Sequence, residues 1–207
     1  MKKSKGGTLV DKLKVLIFVE DVAQENLIRT LFCRIAAESG LGSTRLDVHV
    51  PYSRGGASIK ALKVYLDDYP SDTVDCFVLG SDGNCKGFVQ KKQLLEKNLQ
   101  KYGTLDRTIL AIPDPHIERW YVIDPGALSE AVGASIGNYS PKHKCDKGHY
   151  KKILKEAIFS TDVEPLQGGA EYGQDVGETL DIYKACKEDS GFKSFFEQVK
   201  AWAAARV

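Results

Sequence analysis

Residues 15–31, VLIFVEDVAQENLIRTL, contain the change of pattern that decides the fold. Residues 14–19 are almost continuously apolar, which is typical of a β-strand covered on both faces. From residue 22 to residue 37 the apolar side chains recur at helical spacing, and Gly40 and Gly42 follow as helix-ending residues. A strand that leads directly into a helix predicts the first half of a parallel strand–helix–strand unit.

The same alternation recurs through the first half of the chain. Further strands are predicted at residues 46–50, 75–79 and 108–112, and the helices that follow them at residues 58–69, 88–102 and 115–123. This order predicts an α/β fold with a mostly parallel four-stranded sheet flanked by helices.

The second half shows helical patterns and no further strand signal. A capped helix and loop are predicted at residues 122–139, and three more helices at residues 150–159, 172–187 and 192–204. The predicted organisation is a basic flexible tail (1–13), an α/β domain (14–124) and a helical extension or cap (125–207).

Composition excludes several classes of protein. With 43% hydrophobic and 28% charged residues, the chain is not expected to be intrinsically disordered. A net charge of +1 excludes a generally basic protein but allows a local basic groove. The apolar run 15–19 is too short to cross a bilayer, and Lys12 and Lys14 interrupt any signal peptide. We therefore expect a cytoplasmic protein without membrane contact. Its five cysteines are odd in number and widely spaced, with no CxxC pair, so we expect them to stay reduced.

Acidic side chains follow three of the four predicted strands. Glu20 ends the first strand, Asp82 lies just past the third, and Glu118 lies on the segment after the fourth. Ligand sites of such sheets form where the strands end, so we expect the three carboxylates to meet. Two such charges about 4 Å apart repel by roughly 4 kcal/mol at an effective dielectric near 20, which a cation would relieve. Carboxylate oxygens favour Mg²⁺ or Mn²⁺ and, with them, phosphoryl-transfer chemistry.

Each acid also has a simpler explanation when it is taken alone. Glu20 and Asp21 suit the first turn of a helix, where negative charge complements the dipole. Asp82 and Asn84, on either side of a glycine, suit an ordinary turn. Glu118 suits a solvated helix face. It is the coincidence of acids at several strand ends that favours a metal site.

These motifs resemble the TOPRIM fold of primases, type II topoisomerases and the nucleases of the overcoming-lysogenization-defect group. That family has a Glu after strand one and an Asp-x-Asp after strand three, which together hold Mg²⁺. Glu20 matches the Glu, Asp82 the first Asp, and Asn84 stands in place of the second Asp, while Asp21 replaces the usual glycine. Residues 113–124, PDPHIERWYVID, resemble the Glu-x-Trp segment of small TOPRIM-like proteins of bacterial defence operons, which maps to Glu118.

The resemblance implies a metal-dependent nuclease in which Glu20, Asp82 and Glu118 are catalytic. These three residues and Asn84 would hold Mg²⁺ or Mn²⁺, with Glu25 or Asp124 assisting. It further implies a partner ATPase and a role in defence against phage. The chain has no P-loop motif, so any nucleotide-driven step belongs to another chain.

Basic residues near these motifs are candidate phosphate contacts, which favours a nucleic-acid partner. Arg54 precedes a Gly-Gly pair at a predicted helix start, and Lys86 follows Asp82 closely. Lys142 and Lys144 lie in a basic loop at residues 141–150. That loop also contains an H-x-C-x₃-H pattern, which lacks the fourth ligand that a structural zinc site requires.

Two other functions fit the same residues. The chain could serve as a non-catalytic docking or sensor subunit of a complex, because Asn84 is a weaker metal ligand than an aspartate. Residues 15–31 also resemble the opening of a response-regulator receiver domain, with Glu20 and Asp21 as its acidic pair. A receiver requires a Met-Pro segment after its phospho-accepting Asp and a later Lys-Pro dipeptide, and neither occurs here.

Overall fold

The computed structural model describes residues 12–51, 57–137, 145, 146 and 148–207. Its sheet has four strands: β1 (Leu13–Phe18), β2 (Leu46–His49), β3 (Cys76–Gly80) and β4 (Thr108–Ala111). The spatial order is β2-β1-β3-β4, and every pairing is parallel. The predicted α/β class is therefore confirmed, with each strand within a residue or two of its predicted position.

Helices follow each strand, and the described part of the second half contains helices and loops but no strand. They are α1 (Val22–Glu38), α2 (Ser58–Asp68), α3 (Phe88–Gln100), α4 (Glu118–Val122), α5 (Pro125–Val132), α6 (His149–Phe159), α7 (Gly173–Thr179), α8 (Ile182–Glu188) and α9 (Ser190–Ala204). Among the helices in the described ranges, none combines the length and apolar character needed to cross a membrane.

Both faces of the sheet are covered, which explains why the strands are apolar at nearly every position. On one face, Leu16 and Phe18 pack into a core with side chains of α2 and α3, such as Leu62. On the other face, Val15 and Ile17 pack into a larger core with α1 and the helices that follow β4.

The helices after β4 thus share one hydrophobic core with α1. Trp120 and Tyr121 on α4, whose spacing predicts core positions, are fully buried there. The Trp120 ring meets the rings of Phe192 and Phe195 on α9, with centroids 5.0 Å and 5.9 Å apart. The predicted cap therefore completes one face of the sheet.

Two predicted helices differ from the structure for identifiable reasons. The single helix expected at residues 172–187 is divided into α7 and α8, because Leu180 is extended and the Asp181 side chain caps α8 by accepting from the Lys184 N–H at 3.0 Å. The helix expected from Pro115 begins only at Glu118, because the carbonyls of residues 113 and 115 instead accept hydrogen bonds from the loop after β3. Leu13, predicted to lie in the N-terminal tail, belongs to β1, and residues 1–11 lie outside the described ranges.

Helix α9 packs closely against the edge strand β4. The Gln198 side chain accepts from the Leu110 N–H at 3.1 Å, which satisfies a backbone donor that an edge strand would otherwise expose. Near the start of α9, a Cβ on Gly191 would overlap the backbone carbonyl oxygen of Ile112. The close approach of helix and strand therefore requires glycine at this position.

We expect Gly191→Ala to destabilise the protein by about 2 kcal/mol or more, because helix α9 must move away from β4 to admit the methyl group. Gly126→Ala is the matched control, since Gly126 is also the second residue of a helix and a Cβ there meets nothing nearer than 3.5 Å. Urea unfolding of both variants measures the difference. Equal midpoints for the two variants would show that α9 does not depend on this contact.

Candidate active site

The carboxyl ends of β1 and β3 bring Glu20 and Asp82 to the same edge of the sheet. The two strands are neighbours, and their register pairs Phe18 with Leu79. Glu20 and Ser81 each lie two residues beyond this pair, and the Ser81 hydroxyl donates to the Glu20 carboxylate at 2.6 Å. The residue next to Asp82 is therefore hydrogen-bonded directly to Glu20.

Gln24 connects the two acidic residues from the first turn of α1. Its side chain is fully buried; Oε1 accepts from the Glu20 N–H at 3.0 Å, and Nε2 donates to the Asp82 carboxylate at 2.8 Å. The Asp21 side chain caps α1 by accepting from the Gln24 N–H at 2.9 Å. The amide therefore has one orientation that satisfies both of its ends, and it holds the start of α1 against the loop after β3.

Asp82 accepts further hydrogen bonds from the segment after β4. The Ile117 N–H donates to its carboxylate at 3.1 Å, and Nδ1 of His116 lies 3.1 Å from its second oxygen. Only 15% of the Asp82 side chain is exposed. Burial raises the pKa of Asp82 to about 7, the charge of Glu20 acts in the same direction, and the hydrogen bonds from His116 and Gln24 oppose the rise. Asp82 thus exchanges its proton near neutral pH.

A lysine lies close to this pair of carboxylates. Burial lowers the pKa of the half-buried Lys91 on α3, while the charges of Glu20 and Asp82 act in the opposite direction. Lys92 instead lies 3.7 Å from Glu96 and over the Phe88 ring. Lys91 is therefore the α3 cation placed to neutralise an anion bound at the acidic pair.

The loop after β3 is held by backbone contacts to the segment after β4. The N–H groups of Gly83 and Asn84 donate to the carbonyls of Pro113 and Pro115 at 2.7 Å and 2.9 Å. A Cβ on Gly83 would overlap the Asp114 side chain. Asn84, predicted as a metal ligand, has a left-handed backbone (φ 50°), is exposed, and donates its Nδ2 to the Asp82 carbonyl at 3.2 Å.

Glu118 and Asp21 line a cavity of about 240 Å³ together with Leu154 and Ala170. The Glu118 side chain, 13% exposed, lies 3.9 Å from the Lys151 ammonium group on α6. Burial raises the pKa of the nearby Tyr121 hydroxyl, and the charges of Asp21 and Glu118 act in the same direction. The described contacts of Glu118 are therefore with Lys151 and the residues that line this cavity. None of its described contacts is with Glu20 or Asp82.

The two assisting acids suggested by the sequence lie elsewhere. Glu25 lines a groove between α1 and α7 with Asn26 and Gln174. Asp124 caps α5 and pairs with Lys184 at 2.9 Å; burial alone would raise its pKa, but Lys184 and backbone N–H groups lower it.

The predicted phosphate contacts are only partly described. Lys86 is exposed on the loop that follows Asp82. Arg54, Lys142 and Lys144 lie outside the described residues, as does His143 of the H-x-C-x₃-H pattern.

The donor set at the sheet edge suits a hard divalent cation. In the part of the chain that the structure describes, no three His, Cys, Asp or Glu side chains form a group that could hold an ion. Mg²⁺ commonly binds to one or two carboxylates and completes its shell with water and substrate phosphate. Glu20 and Asp82 together provide such a pair. Burial is the largest cause of the raised pKa of Asp82, the charge of Glu20 adds to it, and a bound cation would favour the charged form.

Comparison with known proteins adds no relative to this picture. No family model, curated protein or solved structure matches the chain. The site must therefore be interpreted from its own geometry.

Gln24 is the site residue that sequence reasoning missed, although a signal was present. The buried stripe of α1 runs through Leu27, Ile28 and Leu31, and Gln24 occupies the first position of that stripe. A polar side chain on an otherwise apolar stripe requires buried hydrogen-bond partners. Here those partners are the backbone N–H of Glu20 and the carboxylate of Asp82.

Asp82→Asn should stabilise the protein in metal-free buffer at neutral and higher pH. Because the pKa of Asp82 is raised on folding, its stabilising contribution is fully present below about pH 4 and is lost as the pH rises to about 7. An asparagine keeps the acceptor for Gln24 and carries no charge, so the gain should reach at most about 4 kcal/mol above pH 7 and vanish near pH 3.5.

Thermal unfolding of wild type and variant across this pH range, with a chelator present, measures the difference. Asp106→Asn is the control. It changes an exposed acid just before β4, at the amino ends of the strands rather than the carboxyl ends, and should leave the pH profile unchanged. A gain for Asp82→Asn that does not vary with pH would contradict the raised pKa.

Proposed function

We propose that this protein is a TOPRIM-like, Mg²⁺- or Mn²⁺-dependent nuclease that cleaves phosphodiester bonds. The observation that supports it best is the meeting of Glu20 and Asp82 at one sheet edge, linked through Ser81 and the buried Gln24. A protein that only needed a stable turn here would gain nothing from burying a carboxylate beside another one.

Glu20 and Asp82 would hold the cation, whose contribution is to lower the pKa of a bound water and to stabilise charge on the attacked phosphate. Asp82 also orients His116 through Nδ1, which leaves Nε2 as the ring nitrogen that can exchange a proton with water or with the leaving oxygen. Lys91 would neutralise charge on the phosphate.

Nucleic acid as the substrate is supported by the cations around the acidic edge. Lys86 is exposed on the loop after Asp82, and the Lys151 side chain, 69% exposed, lies beside the Glu118 cavity. Exposed lysines near an acidic centre can attract a polyanion to it in spite of the near-zero net charge. A partner ATPase and a role in anti-phage defence follow only from the resemblance to TOPRIM-like defence proteins, and they belong to the same proposal.

A non-catalytic docking or sensor role is the second candidate, and specific contacts favour it. Asn84 donates its amide to the Asp82 backbone, and Glu118 faces Lys151. Both arrangements leave fewer carboxylates for a second ion than the family pattern supplies. The receiver-like alternative has less support, because the described residues after β4 include no further strand, whereas a receiver has its Lys-Pro dipeptide after a fifth strand.

Purified protein with Mn²⁺ should cleave single-stranded DNA, double-stranded DNA or RNA, and a chelator should abolish the cleavage. Glu20→Gln and Asp82→Asn should each lower the rate by about 100-fold or more, because each removes a charge that holds the ion. Asp106→Asn should retain the wild-type rate.

The rate is measured with end-labelled substrates of each kind, on variants whose thermal unfolding shows that they are folded. Cleavage that persists in both acidic-pair variants would assign the activity to another site or to a contaminant. A folded wild-type protein that neither cleaves any substrate nor binds Mn²⁺ would favour the docking role.

Binding of Mn²⁺ should depend on pH in a way that identifies Asp82. Below about pH 7 the cation must displace the Asp82 proton, so the apparent association constant should rise about tenfold per pH unit and level off above pH 7. Calorimetric titration from pH 5.5 to pH 8 measures this slope. The slope should disappear in Asp82→Asn, whose residual binding is weak, and a slope unchanged in that variant would place the ion elsewhere.

A further inference from the structure

Two exposed cysteines from distant parts of the chain meet beside the candidate active site. The Cys85 thiol lies 3.5 Å from the backbone carbonyl oxygen of Cys145, sixty residues away in sequence. The other three cysteines are less accessible: Cys76 is buried in β3, and Cys33 and Cys186 are partly buried.

The two side chains are close to each other as well. The Cys145 thiol lies within hydrogen-bonding reach of Cys85, and the carboxylates of Asp114 and Asp146 lie nearby.

Cys85 has a rigidly held backbone. It has a left-handed conformation (φ 61°), and its N–H donates to the Asp114 carboxylate at 3.1 Å. A side chain other than glycine in this conformation costs free energy, so the surrounding hydrogen bonds must hold it. The Cys85 sulfur lies toward the segment that precedes α6, as its 3.5 Å contact with the Cys145 carbonyl oxygen shows.

We propose that Cys85 and Cys145 form an oxidative modification site that closes into an intramolecular disulfide. The oxidant is a small-molecule disulfide of the glutathione class. One protein thiolate attacks a sulfur of that disulfide, which forms a mixed disulfide and releases one thiol. The second protein thiolate then attacks the mixed disulfide at the protein sulfur and releases the other thiol. The two protein thiols lose two protons and two electrons, and the oxidant gains these protons and electrons as it becomes two thiols.

The disulfide would tie the segment before α6 to the loop that carries Asp82. Helix α6 begins at His149 and carries Lys151, the partner of Glu118. Closing a loop of sixty residues lowers the entropy of the unfolded chain, so the oxidised protein should also be more stable. The inference does not depend on nuclease activity, because the bond and its effect on stability are measured directly.

The test is oxidation of the full chain in graded mixtures of reduced and oxidised glutathione. Remaining thiols are blocked with N-ethylmaleimide, and the peptides are mapped by mass spectrometry without reduction. We expect the loss of two of the five thiols, one linked pair of peptides that contains Cys85 and Cys145, and a rise in Tm of roughly 5–10 °C.

Cys85→Ser and Cys145→Ser should each abolish both the linked pair and the rise in Tm. Cys33→Ser is the matched control and should still form the bond. The proposal is overturned if, in the most oxidising glutathione mixture, Cys85 and Cys145 of the wild type remain free, carry stable glutathione adducts, or are joined to other cysteines. It is also overturned by a linked pair whose formation leaves Tm unchanged, because the two segments would then not be restrained by it.

Discussion

The buried amide of Gln24 is the contact on which the candidate active site depends. Two carboxylates beside each other in a partly buried place repel, and proteins commonly separate them or insert a cation. Here the neutral Gln24 side chain joins the two residues instead. Its Oε1 accepts from the Glu20 backbone N–H, and its Nε2 donates to the Asp82 carboxylate. The amide fixes the position of Asp82 without cancelling its charge. The pKa of Asp82 therefore stays raised, mainly because the carboxyl group is buried and also because of the charge of Glu20.

The helices after β4 support this arrangement from behind. Arg119 on α4 donates to the Asp114 backbone at 3.0 Å and forms a buried ion pair with Asp189, which also caps α9 and accepts from Trp120 at 3.2 Å. Burial raises the pKa of Asp189, and Arg119 opposes the rise. Because α4 follows directly on His116 and Ile117, the ion pair helps to hold the donors that contact Asp82. The C-terminal helices are thus part of the scaffold of the site.

The sequence allowed the strands to be predicted well, and with them the edge at which the acids lie. Continuous apolar runs such as residues 14–19 arise because both faces of a parallel strand are buried, so the signal is strong and local. The position of Glu118 could not be predicted in this way, because it depends on where the backbone after β4 enters α4. That entry is set by hydrogen bonds from Gly83 and Asn84, which are contacts between distant segments. Gln24 belongs to the same class, since its partners come from two different strand ends.

Protons and divalent cations would compete for the same pair of oxygens, and this competition unites the stability and the function of the site. Without a cation, Asp82 holds its proton up to about pH 7 because burial and Glu20 disfavour the charged form. A dication reverses that preference, since both negative charges then become favourable. Ser81 and Gln24 are neutral and do not supply that compensation, and Lys91 offers a single positive charge for two acids. A site that keeps two acids together with one lysine beside them has negative charge left for a ligand, and a hard cation with a bound phosphate would meet that requirement.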